Sequence, residues 1–255
     1  MEISSKRFNV TKKIRRFFAK ISEVLVPSTC LTCDRFVDAQ GGCCPQCWNK
    51  LRFITKPLCP IMGSPFSIDM GKNFLSAEAI SNPPPFEKLR AVLIYDELAR
   101  KLVSSIKYSD RTDLLRWVAN WMHVAGQEII EDADVIMPVP LHSSRLRSRW
   151  FNQAGELAHR LARLNEKEFM PEVLIRKKST RQQVGLSESE RARNVSGAFI
   201  VPQEMKINLK GKRVLLIDDV YTTGATAKAA TRALKRGGAS HINVLVFAKV
   251  ETYID

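Results

Sequence analysis

The chain has 255 residues, 45% of them hydrophobic and 26% charged, so it is long and apolar enough to bury a core. No run of about eighteen apolar residues occurs, which excludes an integral membrane protein with helical spans. Lysine and arginine number 40 against 26 acids, a formal net charge of +14. This excess favours a polyanionic partner or, alternatively, serves only solubility.

The first 27 residues are predicted to contain a basic amphipathic helix over residues 8–26. Apolar residues recur at helical spacing from Val10 to Leu25, basic residues lie mostly on other faces, and Pro27 ends the pattern. The helix either packs against protein or forms an arm for a membrane surface or nucleic acid. Because the segment has no small-residue cleavage site, we expect no secretory signal and a cytoplasmic location.

All six cysteines lie between residues 30 and 59. Two Cys-x-x-Cys pairs separated by ten residues supply the four thiolates that a tetrahedral structural zinc ion requires. The predicted ligands are Cys30, Cys33, Cys44 and Cys47. Four protein ligands leave no position for water, so the predicted zinc stabilises a segment too short to bury its own core. The alternative is a set of redox-active or unliganded thiols.

A further metal-binding pair begins at Cys59 and is not completed. Met62 occupies the position of its second thiolate, and a thioether is a poor zinc ligand. No other nearby cysteine or histidine completes four ligands, and Cys43 is predicted to be spare beside Cys44. The sequence therefore predicts one zinc ion per chain.

From about residue 86, apolar runs alternate with helical patterns, which is typical of a mainly parallel sheet flanked by helices. The predicted strands are residues 89–95, 135–139, 214–217 and 242–247, and the predicted helices are residues 97–106, 114–130, 152–164 and 225–236. We therefore divide the chain into an amphipathic helix (1–27), a zinc-ribbon-like region with a linker (28–85) and an α/β domain (86–255).

The segment from Val214 to Thr226 joins an apolar strand, two acids, a hydroxyl-rich loop and the start of a helix. Free N–H groups at a helix N-terminus bind phosphate, and paired carboxylates accept hydrogen bonds from sugar hydroxyls. We therefore predict a sugar phosphate site, although a chance placement of acids at a strand end is the alternative. Its predicted residues are Asp218, Asp219, Thr222, Thr223, Gly224, Ala225 and Thr226.

A basic loop follows the predicted strand 135–139. Its arginines suit pyrophosphate oxygens, but an ordinary basic surface loop has the same composition. Asn152 is predicted to cap the next helix, and His142 is more simply a polar loop residue than an acid or base. The predicted pyrophosphate loop contains Pro140, Leu141, His142, Arg145, Arg147, Asn152 and Gln153.

Residues 176–194 form a long polar stretch without helical or strand periodicity. The stretch is either a basic surface insertion or a mobile loop that closes over a ligand and excludes water. The side chains expected to reach the ligand are Arg181, Gln182, Gln183, Arg191, Arg193 and Asn194.

Residues 214–226 resemble the phosphoribosyl pyrophosphate (PRPP) motif of type I phosphoribosyltransferases. The chain resembles the ComF (competence protein F) family over about residues 27–250. Four sets of motifs carry this resemblance: the two Cys-x-x-Cys pairs, Pro-Val-Pro-Leu-His with Phe-Asn-Gln, Arg-Gln-Gln-Val-Gly-Leu with Arg-x-Arg-Asn, and Asp-Asp-Val-Tyr-Thr-Thr-Gly-Ala-Thr. The resemblance implies a type I phosphoribosyltransferase fold behind a zinc ribbon. It also implies that Asp218 and Asp219 hold the ribose hydroxyls at the catalytic centre, that residues 222–226 wrap the 5-phosphate, and that Mg²⁺ binds with PRPP.

The resemblance implies a cytoplasmic bacterial protein that takes part in natural transformation and has DNA-uptake or recombination proteins as partners. Two molecular functions are consistent with it. In the first, an enzyme transfers phosphoribose from PRPP to an acceptor that the sequence does not identify, and pyrophosphate is released. In the second, a non-catalytic protein binds single-stranded DNA and uses PRPP as a regulatory ligand. Aromatic candidates for base stacking are Phe17, Phe18, Phe36, Trp48 and Phe53. A zinc-ribbon transcription regulator is less favoured, since no recognition helix stands out.

Overall fold

The computed structural model describes residues 29–33, 35–37, 42–108, 112–141, 152–177 and 188–251. The predicted helix over residues 8–26 lies outside them. The described residues fall into two compact units, one ending at Lys50 and the other beginning at Leu51, and the three-part division given above stays a prediction. In the described ranges, no helix has the length and apolar character needed to cross a membrane.

The first unit is built around sulfur atoms. An antiparallel bridge joins Thr29 to Phe36, and helix α1 spans Pro45–Trp48. Proline suits the first turn of a helix because its missing N–H has no partner there in any case. Among the described residues of this unit, Cys30, Cys44 and Cys47 form a buried cluster, with Val37 and Cys43 packed against it. Hydrophobic burial on this scale does not hold a fold by itself.

The second unit is an α/β structure. Its elements are helix α2 (Ala77–Ser81), strand β1 (Leu89–Ile94), helix α3 (Glu97–Tyr108), helix α4 (Thr112–Glu131), strand β2 (Val135–Pro138), helix α5 (Gln153–Leu164), strand β3 (Glu168–Phe169), strand β4 (Ile175–Arg176), helix α6 (Glu188–Val195), strand β5 (Phe199–Ile200), a 3₁₀ turn (Gln203–Met205), helix α7 (Lys206–Leu209), strand β6 (Arg213–Tyr221), helix α8 (Ala225–Arg236) and strand β7 (His241–Lys249). Each strand and helix predicted beyond residue 86 is present; helix 225–236 has the predicted bounds, and the other elements have at least one shifted end.

Five parallel strands form the main sheet in the order β1-β7-β6-β2-β3. Strand β7 is buried at every residue after His241, as expected for a central strand of a parallel sheet that is covered on both faces. Strands β4 and β5 pair separately, as an antiparallel ribbon. The predicted fold class, a mainly parallel sheet flanked by helices, is therefore confirmed.

Helices cover both faces of this sheet. Val244 of β7 belongs to the core cluster that contains the buried alanines of α8. Its neighbour Leu245 lies against Gly126 of α4, and the Phe247 ring stacks on Trp121 of α4 with centroids 6.2 Å apart. Because alternate strand residues point to opposite faces, α4 and α8 lie on opposite faces. Helix α5 packs against α4, β2 and β6, and therefore shares the α4 face.

The polar stretch 176–194, which has no helical or strand periodicity in the sequence, begins with Arg176 of β4 and ends in α6. Among the described side chains of α6, only Val195 is deeply buried, at 1% exposure. A helix with so little apolar surface produces no periodic signal in the sequence. Helix α6 packs against α8, so tertiary contact rather than an amphipathic pattern stabilises it.

An ion pair joins the residue before β2 to the start of β6. Arg213 Nη2 lies 2.8 Å from Asp134 Oδ1, and the Arg213 backbone N–H donates to Asp134 Oδ2 at 2.8 Å. These hydrogen bonds lower the pKa of Asp134 from 3.8 to about 2. Because the folded-state pKa is depressed, the pair stabilises the fold above about pH 4, and this stabilisation is lost as the pH falls from about 4 to about 2.

We expect Asp134→Asn to lower the free energy of unfolding by no more than about 1 kcal/mol at neutral pH, because the pair is partly exposed. The loss should shrink toward zero as the pH approaches about 2. Urea unfolding across this range measures it, with Glu172→Gln, a change at an exposed carboxylate, as the control. A loss that does not depend on pH would show that the charge of Asp134 is not the stabilising feature.

Candidate functional site

The two adjacent acids lie near the carboxyl end of β6, in the middle of the sheet. Asp218 and Asp219 are both partly buried, and the Asp219 backbone N–H donates to Asp218 Oδ1 at 2.9 Å. Strand β6 ends at Tyr221, and α8 begins four residues later, at Ala225. The carboxyl edge of a parallel sheet is where α/β proteins bind ligands, so the acids and the start of α8 face ligand space together.

Gly224 makes the turn into α8. Its φ of 72° lies in the left-handed region that favours glycine. A Cβ at this position would collide with the hydroxyl and ring of Tyr221. Tyr221 is 2% exposed, and its ring meets Phe86 edge-on at 6.2 Å. The tyrosine therefore has little freedom to move away, and both conformation and space require glycine.

A small crevice lies between the end of β6 and the first turn of α8. Its lining consists of Asp218, Val220, Tyr221, Thr222, Gly224, Ala225, Thr226, Ala227 and Val246. The N–H groups of the first helical turn have no partner within the helix, and the helix dipole favours an anion there. Thr223 Oγ1 is buried and makes no hydrogen bond within the described ranges. Asp219 and Thr223 are not among the lining residues, but the helix N–H groups beside the Asp218 carboxylate suit a phosphate with a neighbouring hydroxylated group.

The predicted pyrophosphate loop leaves the sheet next to these acids. The Val139 backbone N–H donates to the Ile217 carbonyl at 2.8 Å, so Pro140 and Leu141 emerge at the same edge as Asp218. His142, Arg145 and Arg147 lie outside the described residues.

At the far end of this loop, the Asn152 side chain has a different partner from the one predicted. Asn152 is the N-cap residue of α5, but its side chain makes no capping hydrogen bond, so the predicted capping role of that side chain is wrong. Asn152 Nδ2 instead donates to the Val139 carbonyl at 3.3 Å and so bridges the two ends of the loop. Gln153, which follows, is 2% exposed.

The predicted mobile loop is described only at its end. Arg181, Gln182 and Gln183 lie outside the described residues. Arg191, Arg193 and Asn194 belong to α6, which packs against the helix whose N-terminus borders the crevice. Arg193 is exposed and Asn194 partly buried. Any contact of these residues with a ligand stays a prediction.

The four predicted zinc ligands come together in the first unit. The Sγ atoms of Cys30, Cys33, Cys44 and Cys47 all lie within 4.8 Å of one another. The Cys33 and Cys44 sulfurs are 3.7 Å apart, close to the roughly 3.8 Å that a tetrahedral site with Zn–S bonds of about 2.3 Å requires. The Cys44 backbone N–H also donates to Cys30 Sγ at 3.3 Å. This donor set suits one closed, structural zinc site.

The cysteine pKa values do not separate the predicted ligands from the spare thiol, because the pKa of the predicted ligand Cys47 is also raised to about 12. Burial raises the pKa of Cys30, but hydrogen bonds from Thr32 and the Cys44 backbone outweigh it and lower the pKa to about 5. Burial, with the neighbouring Cys30 and Cys44, raises the pKa of Cys43 to about 12. Cys43, however, lies outside the four-sulfur cluster.

An incomplete metal knuckle lies at the start of the second unit. Cys59 Sγ accepts hydrogen bonds from the backbone N–H groups of Met62 and Ser76, each at 3.4 Å. Ser76 and Ala79 repeat the spacing of Cys59 and Met62. These two residues were not among those predicted from the sequence, although the repeated spacing was an available signal.

The chemistry of this knuckle does not fit zinc. Its four positions offer one thiol, one thioether, one hydroxyl and one methyl group, whereas zinc requires thiolate, imidazole or carboxylate ligands. Cys59, Met62 and Ala79 are instead buried in the core cluster of the sheet. Apolar packing therefore holds this segment in place of a metal ion.

The crevice yields a stability prediction. Gly224→Ala should lower the free energy of unfolding by about 1–2 kcal/mol for the left-handed backbone and by about 1–3 kcal/mol more for the collision with Tyr221. Gly211→Ala measures the cost of the left-handed backbone without a collision, because Gly211 has a φ of 75° and nothing lies within 4 Å of the position that its Cβ would occupy. Urea unfolding of both variants checks this, and equal losses would show that Tyr221 does not constrain the loop.

Two family models match this chain. A double zinc ribbon domain matches residues 21–79, and a phosphoribosyl transferase domain matches residues 150–254. The DNA utilization protein YhgH of Escherichia coli (strain K12) is 29% identical over 226 residues, which cover 86% of this chain and 96% of that protein. Competence protein F of Haemophilus influenzae is 26% identical over 216 residues, with coverage of 83% and 92%.

A solved structure described as the allosteric regulatory enzyme of purine biosynthesis is similar over 56% of this chain, with 20% identity and a TM-score of 0.37, and the chain spans 30% of its length.

The double zinc ribbon match includes both the four-sulfur cluster and the incomplete knuckle. The transferase match includes the crevice of β6 and α8. The chain is therefore similar to DNA utilization protein YhgH and competence protein F over most of its length, and it matches a double zinc ribbon domain followed by a phosphoribosyl transferase domain.

Proposed function

We propose that the chain binds PRPP in the crevice between β6 and α8. The observation that carries this proposal is the succession of two carboxylates, a left-handed glycine turn and a helix N-terminus at the carboxyl edge of a parallel sheet. Each part matches one part of the ligand: carboxylates match ribose hydroxyls, and helix N–H groups match the 5-phosphate. The match to a phosphoribosyl transferase domain over residues 150–254 supports the same ligand.

The proposed contacts use the side chains and backbone N–H groups around the turn between β6 and α8. Asp218 and Asp219 accept hydrogen bonds from the two ribose hydroxyls. The backbone N–H groups of residues 222–226 surround the 5-phosphate, and Thr223 Oγ1, which lacks a partner in the described ranges, donates to it. Because Gly224 has no side chain, the phosphate approaches the backbone directly.

The pyrophosphate of PRPP would lie toward the loop that leaves β2 at Pro140. Arg145 and Arg147 of this loop are the proposed guanidinium donors to its oxygens. Mg²⁺ fits beside this group, since the crevice offers carboxylate oxygens and the ligand offers phosphate oxygens, and a bound Mg²⁺ neutralises charge on pyrophosphate. Residues 181–194 would close over the ligand and exclude water.

Zinc has a structural role in this proposal. One ion bound by Cys30, Cys33, Cys44 and Cys47 has no open position for water or substrate, so it holds the first unit together and takes no part in transfer.

If the chain is an enzyme, the reaction is transfer of phosphoribose. The bond between C1 of the ribose and pyrophosphate breaks, pyrophosphate leaves with the electron pair, and an acceptor nucleophile forms the new bond to C1 and loses its proton. Asp218 and Asp219 hold the ribose so that C1 faces the acceptor. Closure over the site keeps water from replacing the acceptor.

The second candidate is a protein that binds single-stranded DNA and uses PRPP as a regulatory ligand. The names of the relatives, DNA utilization protein and competence protein F, support a role in DNA uptake or use. In the first unit, Phe36 is 75% exposed and Trp48 44% exposed, as base-stacking residues must be. Phe53 does not suit this role, because its ring packs edge-on against Trp121 at 5.7 Å.

Pyrophosphate release distinguishes the two candidates. The zinc-loaded chain is mixed with PRPP, Mg²⁺ and representative acceptors, namely ammonia, nucleobases and single-stranded DNA, and free pyrophosphate is measured. Release above the acceptor-free rate that is lost in Asp218→Asn/Asp219→Asn supports the transferase. Saturable PRPP binding without release supports the regulatory role. The absence of both release and binding would contradict the PRPP site itself.

A further inference from the structure

A basic groove lies between α4 and α5, away from the residues of the PRPP crevice. Its volume is about 410 Å³, within the range of known ligand sites. Its lining consists of Arg116, Ala119 and Asn120 from α4 and Arg160, Arg163 and Leu164 from α5. Three guanidinium groups thus converge on one concave surface that contains no aromatic side chain.

Two of the three groove arginines have no carboxylate partner among the described residues. Arg160 Nε pairs with Glu156 at 2.8 Å, within α5. Among the described residues, no carboxylate pairs with Arg116 or Arg163. By contrast, Arg90 pairs with Glu128, and Arg213 pairs with two aspartates. A concave surface with an excess of two positive charges concentrates the field and attracts anions.

The groove and the PRPP crevice lie on opposite faces of the sheet. The crevice is bordered by the N-terminus of α8, whereas α4 and α5 cover the other face. The groove and the crevice have no lining residue in common, so an anion in the groove is a second, separate ligand.

We propose that the groove between α4 and α5 binds the phosphodiester backbone of single-stranded DNA. This proposal rests on the DNA role in the proposed function and assigns it to a surface. Guanidinium forks match phosphate oxygens. A flexible single strand follows a concave basic groove, whereas a rigid duplex requires a surface shaped to its convex backbone. Because the groove offers no ring for stacking, its contribution to binding does not depend on base sequence.

The test compares two double variants of the zinc-loaded chain. Arg116→Gln/Arg163→Gln removes the two groove arginines without an ion pair in the described ranges. Arg232→Gln/Arg236→Gln removes the same charge from exposed positions of α8, on the opposite face. Fluorescence anisotropy with a labelled oligothymidylate is measured at several salt concentrations, and PRPP binding is measured in parallel.

We expect the groove variant to weaken oligothymidylate binding roughly tenfold or more and to reduce the salt slope by about 1.4, which is about 0.7 for each lost phosphate contact. The α8 variant should keep the wild-type slope, and both variants should bind PRPP normally. Equal effects of the two variants would overturn the groove proposal while leaving a DNA role intact. A wild-type chain that binds PRPP but no oligothymidylate would overturn the groove proposal and direct DNA binding, while leaving the PRPP site intact.

Discussion

Asp218→Asn/Asp219→Asn is expected to weaken PRPP binding by roughly 100-fold or more. Each carboxylate is proposed to accept a charge-assisted hydrogen bond from a ribose hydroxyl, and each such bond contributes about 1.5–3 kcal/mol. Asparagine keeps the shape of the side chain and an acceptor at Oδ1, so the hydrogen bond from the residue 219 backbone N–H is retained. Equilibrium binding of PRPP with Mg²⁺ measures the change.

The control for this double variant is Asp69→Asn/Glu172→Gln, which changes the net charge equally at two exposed positions. It should bind PRPP like the wild type, and both double variants should unfold at wild-type urea concentrations. If the Asp218 and Asp219 variant is folded and binds as tightly as the control, the ribose hydroxyls are held elsewhere and the proposed roles are wrong.

Cys44→Ser is expected to abolish zinc binding and to unfold the first unit. A structural zinc ion contributes about 10 kcal/mol or more to a small domain, and in the described part of this unit the buried cluster is formed by the cysteines themselves. The second unit has its own core and should stay folded. Metal analysis gives the zinc content, and limited proteolysis shows which unit is cleaved.

Cys43→Ser provides the matched control, since it makes the same chemical change one residue away and outside the four-sulfur cluster. It should retain one equivalent of zinc. Loss of zinc from both variants would show that Cys43 is a ligand. Two equivalents in the wild type would contradict our conclusion that Cys59, Met62, Ser76 and Ala79 do not form a second site.

The second unit was largely predictable because its central strands are strongly apolar. Strands such as β7, which is buried after its first residue, produce continuous apolar runs that end at turns. The elements that were missed are short or polar. Strands β4 and β5 have two residues each, and α6 is stabilised by packing against α8, so neither carries a periodic pattern.

The candidate site was predictable where it is contiguous. Residues 218–226 form a single segment, so their order alone indicates a strand, a turn and a helix N-terminus. The role of Tyr221 was not predictable, because the contact of its ring with Phe86 joins residues 135 positions apart. The basic groove was missed for the same reason, since Arg116 and Arg163 lie on different helices and meet only in the folded chain.

Asn152 illustrates the limit of local patterns. Its place before a helix correctly predicts the N-cap position, where asparagine is favoured. The side chain nevertheless bonds to the Val139 carbonyl, which a local pattern cannot reveal because that partner lies thirteen residues earlier.

The most direct test of the central claim is calorimetric titration of PRPP with Mg²⁺ into the zinc-loaded, folded chain. The crevice between β6 and α8 predicts saturable binding at one site per chain, with inorganic phosphate and ribose 5-phosphate binding more weakly at the same site. A folded chain that carries one zinc ion and shows no saturable PRPP binding would contradict the account.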